Sequence, residues 1–162
     1  PRRFTELYDL YLKRVFGYFF SRVRNLQDAE DLTSLTFLKA FESLHRYRMD
    51  GPFAAWLFTI ARNKANDHFR KHHTLYLEDS SLEATSGADT AGEVQKVDDL
   101  RLMRQLIRAL PEEEQELIRL RVLAQLSYPE MARLLNRPEA TVKKATYRLL
   151  ARLQSQMELD NE

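Results

Sequence analysis

In the stretch NDHFRKHH, His68 and His72 stand four residues apart, so on a helix they share a face and could offer two imidazoles to a metal ion. No third ligand stands at metal-site spacing. The chain has no Cys, which excludes a thiolate zinc centre and a disulfide framework. Asp28 and Asp31 are paired acids, but acids opening a helix are accounted for by its positive end or by a partner. No Gly-rich phosphate loop and no Ser/His/Asp or Cys/His set is present. A metal-dependent helical enzyme built on His68 and His72 is therefore the weakest reading, and no cofactor or metal is expected.

The residues that remain are suited to binding. FAAWLFTIARNKANDHFRKHH mixes Phe53, Trp56, Leu57, Phe58, Ile60 and Phe69 with Arg62, Asn63, Lys64, Asp67, Arg70 and Lys71. Rings or pockets accept unstacked bases and cations follow a phosphate backbone, so this mixture fits single-stranded DNA. Most of these aromatics equally suit a core, and Trp56 reads as packing first.

A second binding stretch is LSYPEMARLLNRPEATVKKATYRLLARL, residues 126–153. At about 100° per residue, Val142, Thr146, Leu149 and Leu153 fall on one side of its last helix. Ala140, Thr141, Lys144, Tyr147, Arg148 and Ala151 fall on the other. A slender face with basic and hydroxyl groups is what the major groove admits. Lys144, Arg148 and Arg152 could neutralise phosphates, and Arg137, Glu139, Ala140, Thr141 and Lys143 stand where base edges would be met. The same face also fits an ordinary solvated helix.

These residues need elements to hold them. With 162 residues, 44% apolar and 30% charged, the composition is that of a globular protein. No apolar run approaches a membrane span, and charges inside the N-terminal apolar pattern exclude a signal peptide. Gly and Pro are scarce and strand-like alternation is absent, so the chain reads as all-α. Helices are expected over about 4–23, 25–45 and from Phe53 through the histidines, then over 94–110, 111–124, 127–135 and 137–157. Leu7, Leu10, Tyr11, Val15, Tyr18 and Phe19 form the inward stripe of the first. Asn25 caps the second, Ser127 and Glu130 form a capping box, and Asn136 suits a left-handed turn beside the small Ala132.

Between them EDSSLEATSGADTAG is a linker by composition; about 20 such residues span roughly 25 Å on average and stretch to roughly 65 Å. Charge is sorted accordingly: 13 basic and 8 acidic residues over 1–76, 1 and 7 over 77–99, 11 and 9 over 100–162. Two basic modules flanking an acidic segment suit a polyanionic partner. Modules of this size have marginal cores.

On the second helix Ala29, Leu32, Phe37, Ala40, Phe41 and Leu44 form the inward stripe. Leu35 and Leu38 point away, toward Asp31, Glu42 and His45. Apolar side chains framed by acids suit a protein partner.

DAEDLTSLTFLKAF, then RYRMDGPFAAWLFTIARNKANDHFR, an acidic linker, and LPEEEQELIRLRVLAQLSYPEMARLLNRPEATVKKATYRLLARL follow one another in an order that resembles a bacterial RNA polymerase sigma factor of the extracytoplasmic-function type. The resemblance covers nearly the whole chain. It implies two small helical domains, a region 2 bundle at 1–76 and a four-helix helix-turn-helix region 4 at 94–162, joined by a flexible acidic linker at 77–93. The linker would thread the polymerase active-site and RNA-exit channels.

It implies core polymerase as partner, through the clamp helices of the largest subunit and the flap, with Asp28, Asp31, Leu35, Phe37, Leu38 and Glu42 as docking residues. Arg46, Tyr47, Arg48, Met49 and Asp50 would form the loop capturing a flipped minus-ten base. Arg62, Asn63, Lys64, Asp67 and Arg70, which carry the R-N-x-x-x-D-x-x-R pattern, would read that element. Arg137, Glu139, Ala140, Thr141, Lys143, Lys144, Tyr147 and Arg148 would read the minus-thirty-five element. Promoter DNA and an anti-sigma factor are the further partners implied. The protein would be cytoplasmic, without membrane insertion and not an enzyme, and no third domain is expected.

Ser34 and Leu35 depart from the family's usual Gln and acid. Asn136 replaces its turn Gly and Pro138 its capping Ser, with Asn136 and Glu139 expected to cap instead. Lys144 and Ala145 stand where Ser and Arg are usual. The competing reading is a response-type helix-turn-helix regulator. It accounts for the last four helices but leaves Leu35, Leu38, the Arg-Tyr-Arg loop and the Asn63/Asp67/Arg70 face unexplained.

Overall fold

The structure is a computed structural model and describes residues 2–48, 51–72 and 91–162. Among them there are seven α-helices and no strand. Met49, Asp50 and the linker up to residue 90 lie outside the described residues.

Helix α1, Arg2–Val23, buries Val15, Tyr18, Phe19 and Val23. Leu10, expected inward, is exposed, because Phe4, Tyr8 and Tyr11 make the ring contacts of this half, to Phe41, Phe37 and Phe53 respectively. The helix stops at Arg24, whose φ of 51° is left-handed and whose N–H donates to the Phe20 carbonyl. Helix α2, Leu26–Ser43, starts where the Asn25 side chain accepts from the Asp28 N–H at 2.9 Å. Its buried Thr33 and Thr36 donate to carbonyls one turn back, so neither hydroxyl is left unsatisfied. A 3-10 turn, Leu44–Arg46, leads into the loop before α3, Phe53–His72. Ala54, Ala55, Ala61 and Ala65 keep the inner side of α3 slim beside Leu57 and Phe58.

Helix α4, Ala91–Arg108, is followed by α5, Glu112–Ile118, which carries Glu112, Glu113 and Glu114 at its positive end. Pro111 is the residue before the helix, where its missing N–H costs nothing. A π-helical turn, Arg119–Leu123, continues α5; the Ala124 N–H reaches the Arg119 carbonyl at 2.8 Å.

Helix α6, Tyr128–Leu135, opens with the Ser127/Glu130 capping box and ends at Asn136 in the left-handed region, φ 53° and ψ 48°. Helix α7, Glu139–Asp160, follows. Its start corrects one expectation: Pro138 takes the cap position, no side chain caps it, and the Asn136 N–H instead closes α6 onto the Ala132 and Arg133 carbonyls.

Helix α2 packs on α1 and α3, while α7 packs on α4, α5 and α6. The two groups also meet, α6 against α3 and the π turn against α1, and their apolar side chains form one contiguous cluster. Fully buried Tyr18, Phe19 and Phe58 on one side, and Leu120, Leu126 and Met131 on the other, each contribute about 1.5–3 kcal/mol by leaving water. The stability of each group therefore includes what it buries against the other.

Candidate functional site

Three faces carry the residues singled out from the sequence. The first is the outer side of α2. Leu35 and Leu38 are 48% and 54% exposed, with Asp31 and Glu42 exposed on the same side. Gln27 donates to Asp31 at 3.0 Å. Asp28 opens the helix and faces the His68 ring of α3 at 3.8 Å. Two residues differ from expectation. Phe37 lies in the inward stripe as its spacing predicts, 6% exposed and edge-on to Tyr8 at 4.7 Å, so it joins α2 to α1 and does not present the docking surface that the resemblance implies. Phe41, placed in the buried stripe, is 57% exposed, touching only the edge of Phe4 at 5.0 Å among its ring contacts. It extends the apolar patch of Leu35 and Leu38. Its spacing from Leu38 was the available signal.

The second face surrounds the loop after α2. Tyr47 donates its hydroxyl to the Gly51 carbonyl at 2.6 Å, and its ring lies 5.6 Å from Phe53 and 5.1 Å from Trp56. Arg46, Tyr47, Arg48, Gly51, Pro52, Ala55, Trp56, Thr59 and, from α6, Arg133 line a cleft of about 390 Å³. Rings and guanidinia are thus gathered around one hollow, as an unstacked base on its phosphate backbone requires. Successive residues of a helix turn by about 100°. Asn63, Asp67 and Arg70 therefore share the outer side of α3 with Trp56 and Thr59, and Lys64 lies about a quarter-turn away, beside the core. Asp67 and Arg70 pair with each other. Arg62 turns toward α5, its Nε 3.5 Å from Glu116 Oε1. Thr59 is legible from its place one turn before Asn63, whereas Arg133 arrives only through packing.

His68 and His72 stack at 4.5 Å between ring centres, and His72 Nδ1 lies 2.9 Å from the His68 carbonyl. Burial holds the His68 imidazole below its ordinary pKa, with Asp28 opposing that shift and His72 adding to it. Among the described residues no group of three or more His, Cys, Asp or Glu side chains could hold a metal.

The third face is the outside of α7 and the residues leading into it. Arg137, Glu139, Ala140, Thr141, Lys143, Lys144, Tyr147 and Arg148 are all exposed there, with Val142, Thr146, Leu149 and Leu153 buried behind. Tyr147 stacks on Tyr128 of α6 at 5.8 Å, and the Lys143 ammonium lies 6.0 and 5.9 Å from the two rings. Arg121 covers Tyr128 from the π turn at 4.2 Å and donates to the Leu126 carbonyl. Arg152, expected to be free for phosphate, is paired with Glu114 of α5.

Among the described residues, an all-helical fold thus presents a helix-turn-helix, an aromatic and cationic cleft and an exposed apolar patch between acids, three surfaces suited to binding rather than to covalent chemistry. Residues 7–74 match the model of Sigma-70 region 2, and residues 100–153 match that of Sigma-70, region 4. The chain is 36% identical over 160 residues to the ECF RNA polymerase sigma factor BldN of Streptomyces coelicolor, covering 93% of this chain and 58% of that protein. It is 27% identical to SigW of Bacillus subtilis, also an ECF RNA polymerase sigma factor, over 95% of this chain and 88% of SigW. The solved structure of the sigma factor RpoE with the anti-sigma factor NepR, from Bartonella quintana, shares the fold at a TM-score of 0.74 and 23% identity, covering 99% of both chains. The chain belongs to the family of extracytoplasmic-function RNA polymerase sigma factors. The match over residues 7–74 disfavours the response-type regulator, which left that half without a role.

Proposed function

We propose that this sigma factor docks on core RNA polymerase through Asp31, Leu35, Leu38, Glu42 and Phe41 on α2, with Asp28 at the edge. Residues 1–76 then act as the unit that grips the minus-ten element, 94–162 as the unit that reads the minus-thirty-five element, and 77–93 as the tether. The cleft of Arg46, Tyr47, Arg48 and Trp56 receives a flipped base, with Asn63, Asp67 and Arg70 beside it. Met49 and Asp50, outside the described residues, are assigned to the same base on the resemblance alone. The outer face of α7 enters the major groove. Binding of extruded bases offsets the cost of unpairing the duplex, so opening needs no catalytic side chain and the chain is not itself an enzyme.

One observation carries this reading: Leu35 and Leu38 stand exposed between acids, at 48% and 54%, on a face that no other helix among the described residues covers, in the same unit as the ring-and-guanidinium cleft. No helix among the described residues is long and apolar enough to cross a membrane. Structural relatives were solved with anti-sigma factors, as in the RpoE complex with NepR, and a partner of that kind is proposed here. Run-off transcription with purified core polymerase tests the reading. Start-site choice should appear only when the chain is added, and a chain that does not bind core polymerase refutes it.

A further inference from the structure

Glu116 of α5 is a carboxylate only 6% exposed, and two of its partners, Tyr18 and Arg62, lie on the other group of helices. Its Oε1 accepts the Tyr18 hydroxyl of α1 at 2.7 Å and sits 3.5 Å from Arg62 of α3. Its Oε2 accepts from Arg119 at 3.0 Å. One turn earlier, Glu112 accepts from Arg119 at 2.6 Å and stands 4.0 Å from Arg22 of α1. Arg22 also donates to the Tyr18 hydroxyl at 3.2 Å and to Asn66 of α3 at 3.0 Å. Two carboxylates at one-turn spacing thus face two guanidinia, one of which, Arg62, the family resemblance assigns to the minus-ten strand.

The chemistry of this contact is that of a short polyanion on a basic surface. Phosphates on a strand would present the same charge to Arg22 and Arg62. The contact is also suited to parting. Buried ion pairs gain little net free energy over the same groups in water, so separating the helices returns every member to solvent at modest cost, whereas removing one member strands the others.

We propose that, in the free chain, Glu112 and Glu116 hold Arg22 and Arg62 in place of nucleic-acid phosphates, so that α5 and the minus-ten strand compete for one cationic surface. This rests on the sigma reading of α3. It adds Arg22 to the strand-contacting residues and assigns α5 the task of covering them until the helix groups separate. The second edge of the cover is Arg133, whose guanidinium packs so closely on Gly51 that a Cβ there would come within 2.6 Å of it. That contact puts an α6 side chain into the wall of the cleft beside Trp56.

The test uses the full chain without polymerase and a fluorescent single-stranded oligonucleotide of mixed sequence. The Glu112→Gln/Glu116→Gln variant should bind it at least ~10-fold more tightly, because the competent form no longer has to be freed from charge-assisted contacts. Its dependence of log K on log salt should steepen by ~0.7 for each guanidinium released. Adding Arg62→Ala should abolish most of the gain. Trp56, the one Trp of the chain, reports opening directly, since losing α6 from the cleft raises its quenching by acrylamide. Should the double variant lose its helical circular dichroism, Tyr18→Phe keeps every charge and should show a smaller gain of the same sign.

Parent-like affinity and quenching in a folded variant overturn the proposal, as does a gain that survives Arg62→Ala or no gain from Tyr18→Phe. Run-off transcription by the parent chain scores the sigma reading separately, and either result can fail without the other.

Discussion

Removing Lys144 and Arg148 from α7 should lower the salt dependence of duplex binding by a calculable amount. Both are exposed and in no ion pair among the described residues, whereas Arg152 on the same helix is paired with Glu114. Each cation that neutralises a phosphate on duplex DNA adds about 0.9 to the slope of log K against log salt. Over a fourfold rise in salt, from about 50 to about 200 mM, one contact is then worth roughly 3.5-fold in affinity and two roughly 12-fold. Lys144→Ala/Arg148→Ala should therefore flatten the slope by about 1.8. Arg152→Ala should change it less than either single variant, because Glu114 already balances that charge. Exposed charges contribute at most about 1 kcal/mol to stability, so none of these variants should unfold the chain. Fluorescence anisotropy with a random-sequence duplex at several salt concentrations measures the slopes. An unchanged slope for the double variant, or an Arg152→Ala effect equal to that of Lys144→Ala, would falsify the assignment of phosphate contacts.

Leu35→Glu should abolish binding to core polymerase while the thermal midpoint stays put, and Phe37→Ala should instead cost about 3–5 kcal/mol in urea denaturation because its ring is buried. Asn136→Ala should lower stability by about 1 kcal/mol, since a Cβ without a compensating amide resists the left-handed φ, and Asn136→Gly should not; equal losses would contradict the strain at this turn. His68 titrates below its ordinary 6.5 when folded, so the unfolded chain binds more protons between that folded value and 6.5. Stability should therefore fall as pH drops through this window, and His68→Gln should flatten that part of the curve; parallel curves for the two proteins would rule it out.

Much of the candidate site was legible because a helix's own period fixes which residues share a side. Leu35 and Leu38 read as outward on that basis, as do Ala140, Thr141, Lys144, Tyr147, Arg148 and Ala151 of α7, all of them exposed. Phe41 was misplaced for an equally physical reason. It lies at the border of the buried stripe, where burial depends on how far α1 reaches over it, and only the edge of Phe4 does. Phe37 shows the converse, since its family resemblance suggested a docking residue and Tyr8 covers it. Arg152 and Arg62 were legible as cations, yet their carboxylate partners lie on a helix whose position no local pattern encodes.

The amino-acid order by itself determined the helices, the Asn25 cap, the Ser127/Glu130 box, the left-handed Asn136 and the outward face of α7. Each depends on backbone preferences and contacts within about four residues. Only the tertiary structure decided that Tyr18 would meet Glu116 across 98 positions of sequence, that Arg62 would turn to α5, and that Arg133 would close on Gly51. Those pairings arise when whole helix groups dock, and docking is selected by the summed burial of two surfaces, to which a side chain's spacing along its own helix is blind.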